Sequence, residues 1–156
     1  MIEQITDMQF RRICRFLKEN RELMSHLLNV KVNLSSLDLM RNDCSSHFIR
    51  MMDEYEILHD WIQFEITETV ATEYSASLGM VVDELTAAGI RLCLDDFGSG
   101  YANLNTVMRL PFSTIKLDRS LLFDICNDEK RAVLPECCGS IPQNELSYCF
   151  GRRGDK

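Results

Sequence analysis

The sequence predicts an α/β fold built on a parallel sheet, on three observations. Segments whose apolar residues recur at helical spacing alternate with short strand-like runs along most of the chain. That alternation argues for a parallel sheet with right-handed crossovers. Each strand candidate then ends in polar residues: Asn33, Glu65, the pair Asp95 and Asp96, and Lys116 with Asp118. Finally, residues 92–101, LCLDDFGSGY, run from apolar residues into two adjacent carboxylates and then a glycine loop.

The elements follow in order. Residues 2–28 carry Ile2, Ile5, Phe10, Ile13 and Leu17 at mostly helical spacing, which predicts one or two amphipathic helices. Residues 29–34, NVKVNL, alternate as a strand, and Ser35 with Ser36 begins a turn. Residues 45–57 place Phe48, Met51, Met52 and Tyr55 on one helical face, a stripe that reads as core. Residues 61–67, WIQFEIT, are rich in strand formers, with Glu65 directed away from Phe64 and Ile66. Residues 70–88 read as a helix with Leu78, Val81, Val82 and Leu85 inward, stopped by Gly89. A strand over 90–94 delivers the acidic pair. A short helix over 101–110 ends at Pro111, a strand over 113–117 follows, and a further helix starts over 120–125. From Pro135 to the end no period survives, and residues 135–156 read as an irregular tail, as an out-of-frame terminus would look.

Bulk properties exclude several classes. At 156 residues the chain is long enough for one domain with a real core. A net charge of −7, with no Lys/Arg-rich block, argues against binding DNA or RNA. No apolar run approaches the roughly 18–20 residues of a membrane span. The N-terminus is amphipathic and acidic early, unlike a signal peptide. Seven cysteines without a Cys-x-x-Cys pair, and three histidines all before residue 60, favour free thiols in a reducing cytoplasm over zinc or disulfides.

In parallel α/β folds the carboxyl ends of the strands form the functional face. An Asn oxygen, three carboxylates and a lysine on one rim suit a hard divalent cation such as Mg²⁺ or Mn²⁺. Asp95 and Asp96 would serve one metal or bridge two, which activate water and neutralise a phosphate. Lys116 would orient that water or stabilise the developing anion. Phosphoester hydrolysis follows from such a rim.

These residues resemble the EAL domains, bacterial phosphodiesterases that linearise cyclic di-GMP to pGpG. The resemblance rests on Asn33 in VNLS, Glu65 and Glu68 in FEITET, Asp95 and Asp96 in LDDFGSGYANL, and Lys116 and Asp118 in IKLDRS, and runs over residues 1–134. It implies a TIM-like (β/α) barrel and two Mg²⁺ or Mn²⁺ ions held by Asn33, Glu65, Asp95 and Asp96. It assigns the catalytic water to Lys116 and support of the site to Asp118. Glu68 would anchor the loop from Phe97 to Asn103, through which the family links a homodimer or protein partner to the metals.

The departures set further expectations. The Glu-Ala-Leu motif, whose glutamate is a metal ligand, does not occur, nor do the Glu-Gly-Val-Glu and Gln-Gly segments. Gln143 and Glu145 lie in the irregular tail and take none of those roles. A closed barrel takes about 250 residues, so the expectation is a partial barrel without its first and last strands. An open sheet leaves two edges and an uncovered apolar face, hence marginal stability with aggregation or partner association. With carboxylate ligands missing, the chain alone is expected to hydrolyse little cyclic di-GMP. A non-catalytic cyclic di-GMP-binding or protein-interaction module and a non-functional gene fragment are the alternatives.

Overall fold

The computed structural model describes residues 2–73, 75–99 and 110–118. The expected helices over 101–110 and 120–125, the tail over 135–156 and most of the loop from Phe97 to Asn103 lie outside the described residues.

Helix α1 (Ile2–Glu19) leads through a short 3-10 turn (Arg21–Ser25) to strand β1 (Val30–Asn33). Helices α2 (Ser36–Leu39) and α3 (Cys44–Glu54) precede β2 (Ile62–Thr67). Helices α4 (Glu68–Glu73) and α5 (Ser75–Ala87) precede β3 (Arg91–Phe97), and β4 (Thr114–Leu117) completes the described sheet. The sheet order is β1-β2-β3-β4 and every pairing is parallel. Neighbouring strands in sequence are therefore neighbours in space, as successive βα units require.

Local chemistry sets the element ends. Ser35, expected only to start a turn, caps α2: its hydroxyl accepts from the Asp38 N–H while the Asp38 carboxylate accepts from the Ser35 N–H. This is a capping box, and Ser-x-x-Asp is its sequence signature. At the end of α5, Gly89 adopts φ +86°, the left-handed conformation that the Cβ of other residues disfavours. The Gly89 N–H then bonds to the Thr86 carbonyl and the Ile90 N–H to that of Leu85, closing the helix as expected.

The core lies between the helices and one face of the sheet. Ile62, Phe64 and Ile66 of β2, Leu92 and Leu94 of β3 and Ile115 of β4 pack there against Phe10, Cys14 and Leu17 of α1, Phe48, Met51 and Met52 of α3, and Leu78, Val82 and Leu85 of α5. The aromatic centre is tight. Phe10 meets Phe48 edge-on at 4.9 Å, and Phe64 lies 5.7 Å from Phe10 and 5.1 Å from Phe48. Offset and edge-to-face pairs at these distances add to burial energy.

The intervening residues occupy the other face, because side chains alternate across a strand. They are polar: Lys31 and Asn33, then Gln63, Glu65 and Thr67, then Cys93 and Asp95, then Thr114 and Lys116. This corrects the expectation of an uncovered apolar face. The apolar residues of all four strands face the helices, and the face opposite carries hydrogen-bonding and charged groups. Gln63, for example, is buried and donates to Ser113 Oγ at 3.2 Å and Thr114 Oγ1 at 3.0 Å.

Candidate active site

The site is built on the carboxyl ends of β2, β3 and β4, with Glu65 at its centre. Glu65 is on an inner strand, 7% exposed, and its register partners are Asn33 on β1 and Cys93 on β3. A carboxylate so far removed from water needs compensating charge. Lys116 of β4 supplies it: its Nζ lies 2.5 Å from Glu65 Oε1 and donates to Asp95 Oδ2 at 3.1 Å. Burial pulls the Lys116 pKa down, but contact with Glu65 and Asp95 outweighs it and holds the ammonium above its usual range. Lys31 of β1 approaches Glu65 Oε1 from the other side at 3.3 Å. Glu65 Oε1 is thus buried between two ammoniums, one from each side.

The acidic pair sits differently from the expectation. The strand was expected to stop at Leu94; β3 instead runs through Asp95 and Asp96 to Phe97. Leu94 pairs with Ile115 and Phe97 with Leu117, so β3 takes one residue more than β4 over this interval. That extra residue is a β-bulge, and it sets two consecutive acids opposite Lys116 while Leu94 and Phe97 both remain against the core. Asp96 takes φ +57°, a conformation Asp tolerates better than most residues, and its N–H donates to Asp95 Oδ1 at 3.0 Å. Partial desolvation, with the nearby charges of Asp95 and Asp118, raises the Asp96 pKa.

The ends of β2, β3 and β4 are tied together. Glu68, the first residue of α4, is buried, and its Oε2 accepts the Gly98 N–H. Gly98 adopts φ +94°, so glycine suits this turn. The Asp118 N–H donates to the Phe97 carbonyl at 2.9 Å, and the Leu34 N–H to that of Glu65 at 2.8 Å. Asn33 is exposed at the end of β1, beside Glu65 in register.

The expected site residues therefore gather at one end of the sheet. Among the described residues, no three His, Cys, Asp or Glu side chains converge as a metal cluster. The donors nevertheless fit a hard divalent cation. They are amide and carboxylate oxygens, and the Glu65 and Asp95 carboxylates, with Asp96 close enough to feel their charge, gather around the Lys116 ammonium. Sequence reading missed Lys31, Gln63 and Cys93, which line the same face below the rim. The period of two that placed Glu65 and Lys116 would have found them.

The comparisons agree with this architecture. The family model described as EAL domain matches residues 1–143, and the chain belongs to the EAL domain family. It is 33% identical over 144 residues to the oxygen sensor protein DosP of Escherichia coli, covering 92% of this chain and 18% of DosP. It is 30% identical over 125 residues to the cyclic di-GMP phosphodiesterase NbdA of Pseudomonas aeruginosa, covering 80% of this chain and 16% of NbdA. The chain thus spans less than a fifth of the length of either relative. A solved structure of the PaMucR phosphodiesterase in complex with c-di-GMP superposes with a TM-score of 0.73 at 26% identity, over 85% of this chain and 54% of that one. The manganese/cy-diGMP complex of Klebsiella pneumoniae BlrP1 superposes at 0.63 and 24% identity, over 80% of this chain and 32% of that one. The fold is accordingly a partial TIM-like (β/α) barrel. No helix among the described residues is long and apolar enough to cross a membrane.

Proposed function

We propose that this chain is a cyclic di-GMP phosphodiesterase domain of EAL type, opening cyclic di-GMP to pGpG, with turnover impaired in these 156 residues. One observation carries the reading. Glu65, Asp95 and Lys116 meet at the carboxyl ends of three adjacent parallel strands, beside the bulge that presents Asp96. Asn33, Glu65, Asp95 and Asp96 would hold divalent ions, Mg²⁺ or Mn²⁺. Bound there, such ions supply a polarised water and offset phosphate charge. Lys116 orients the water and steadies negative charge on the phosphate, and Asp118 keeps the end of β4 in place through its bond to Phe97. The impairment is supported by the pairing of Glu65 and Asp95 with Lys116, which a divalent ion taking those carboxylates would have to loosen. Glu68 anchors the loop from Phe97 to Asn103, where a second copy or a protein partner would bear on the site; its bond to Gly98 supports that role. The buried, unbridged Cys14, Cys44 and Cys93 accord with a cytoplasmic setting.

The test is calorimetry with cyclic di-GMP in Mn²⁺ or Mg²⁺, alongside chromatography for pGpG. Binding with slow pGpG release, abolished by Lys116→Met, is the expected result. Turnover matching the MucR phosphodiesterase assayed in parallel would overturn the impairment. Neither binding nor turnover would overturn the assignment.

A further inference from the structure

Lys31 sits on β1 between Val30 and Val32, which pack against the core, so its own side chain takes the polar face of the sheet. Its Nζ lies 3.3 Å from Glu65 Oε1, the oxygen that Lys116 approaches at 2.5 Å from β4. One buried carboxylate oxygen thus faces two ammoniums, delivered by strands on opposite sides of β2. A single ammonium neutralises Glu65, and Lys116 is shared with Asp95. Lys31 therefore adds a second ammonium at the same carboxylate oxygen, and like charges this close repel. A divalent ion taking the same oxygen meets that repulsion as well.

We propose that Lys31 is a tethered cation: it neutralises Glu65 when no metal is bound and, by competing for that carboxylate, weakens the affinity of the site for a divalent ion. The inference rests on Glu65 being a metal ligand, as proposed above. Lys31 is the separable partner of the two. It is on a flanking strand and partly exposed, and replacing it leaves the Lys116 contacts with Glu65 and Asp95 in place.

The experiment titrates Mn²⁺ into the whole chain, reads free Mn²⁺ by electron paramagnetic resonance, and follows thermal unfolding with EDTA or Mn²⁺. The variants are Lys31→Met, Lys31→Arg, Glu65→Gln and the Lys31→Met/Glu65→Gln pair. Lys31→Met should bind Mn²⁺ on the order of tenfold tighter than the parent, the scale on which neighbours of a metal ligand act. Lys31→Arg, which keeps the charge, should match the parent. In EDTA Lys31→Met should melt below the parent and recover in Mn²⁺, and Glu65→Gln should erase the difference that Lys31→Met makes. Equal affinity in parent and Lys31→Met, with Glu65→Gln weakening both, would overturn the role of Lys31 alone. Mn²⁺ binding untouched by Glu65→Gln, or absent from every variant, would overturn the metal reading and this inference with it.

Discussion

Glu68, buried at the start of α4, accepts the backbone N–H of Gly98 at the end of β3, thirty residues further along the chain. The bond joins the segment that leaves Glu65 to the turn that leaves Asp95 and Asp96. A fully buried N–H stripped of its acceptor costs about 1–3 kcal/mol, and the partly buried Gly98 N–H falls at the low end, about 1 kcal/mol. Glu68→Ala should lower unfolding free energy in urea by that amount. Gly98→Ala, forced to the same φ of +94°, should cost about 1–2 kcal/mol by a separate route. The two losses should fall short of their sum in the double variant, because both act on one turn.

Phe64 is a fully buried side chain at the aromatic centre of the core. It stacks on Phe10 and meets Phe48 at a tilt, so one side chain ties β2 to both α1 and α3. Phe64→Ala should cost about 3–5 kcal/mol. That is a large fraction of the 5–15 kcal/mol typical of a domain. Circular dichroism should show an early or broad melting transition. Phe64→Leu, which keeps much of the volume, should lose far less.

These residues also show what a sequence discloses. The strands were legible because apolar residues alternate with Lys31, Gln63, Glu65 and Lys116, and burial on one face needs no knowledge of partners. The meeting of Glu65, Asp95 and Lys116 was legible because strand ends in a parallel sheet share one side. The bulge was not, since an extra residue in β3 is defined only against β4, and Asp95 and Asp96 read as well as the start of a loop. Lys31 was overlooked because it precedes the strand end. The polarity of the second face was also in the sequence, at every other position of each strand, and an expectation drawn from open parallel sheets in general overrode it.

The buried thiols give a pH prediction with a definite sign. Burial raises the pKa of Cys14 to about 11 and, with the nearby Asp38, that of Cys44 to about 12. The unfolded chain releases these protons near the ordinary thiol pKa of about 8.5. Between the two values the folded state holds more protons, so stability falls as pH rises. Their contribution should be complete below about pH 8.5 and should decline as pH climbs through 11 and 12. Urea midpoints measured from pH 7 to 10.5 should drop in the upper part of the range. Cys14→Ala/Cys44→Ala should flatten that drop while lowering the plateau through lost packing. At pH 8, Ellman's reagent should leave both thiols unmodified in the native protein and react promptly in urea.

Glu65 and Lys116 belong to adjacent ends of the site, and their coupling is measurable without ligand. Lys116 brings the charge that makes burial of Glu65 tolerable, and Glu65 with Asp95 holds an ammonium that burial would otherwise disfavour. Removing one member of a buried pair costs about 3–5 kcal/mol, because the other is left uncompensated. Here Lys31 and Asp95 remain as partners, so each single change should cost less than that range. Lys116→Met and Glu65→Gln should each destabilise the chain in metal-free urea titrations. Their combination should cost less than the sum, with a coupling of about 1 kcal/mol or more. Repeating the cycle with Lys31→Met in the background should enlarge the coupling, since Lys116 then becomes the remaining ammonium at Glu65 among the described residues. Strictly additive losses in both backgrounds would mean that the 2.5 Å approach of Lys116 to Glu65 contributes nothing to the folded state.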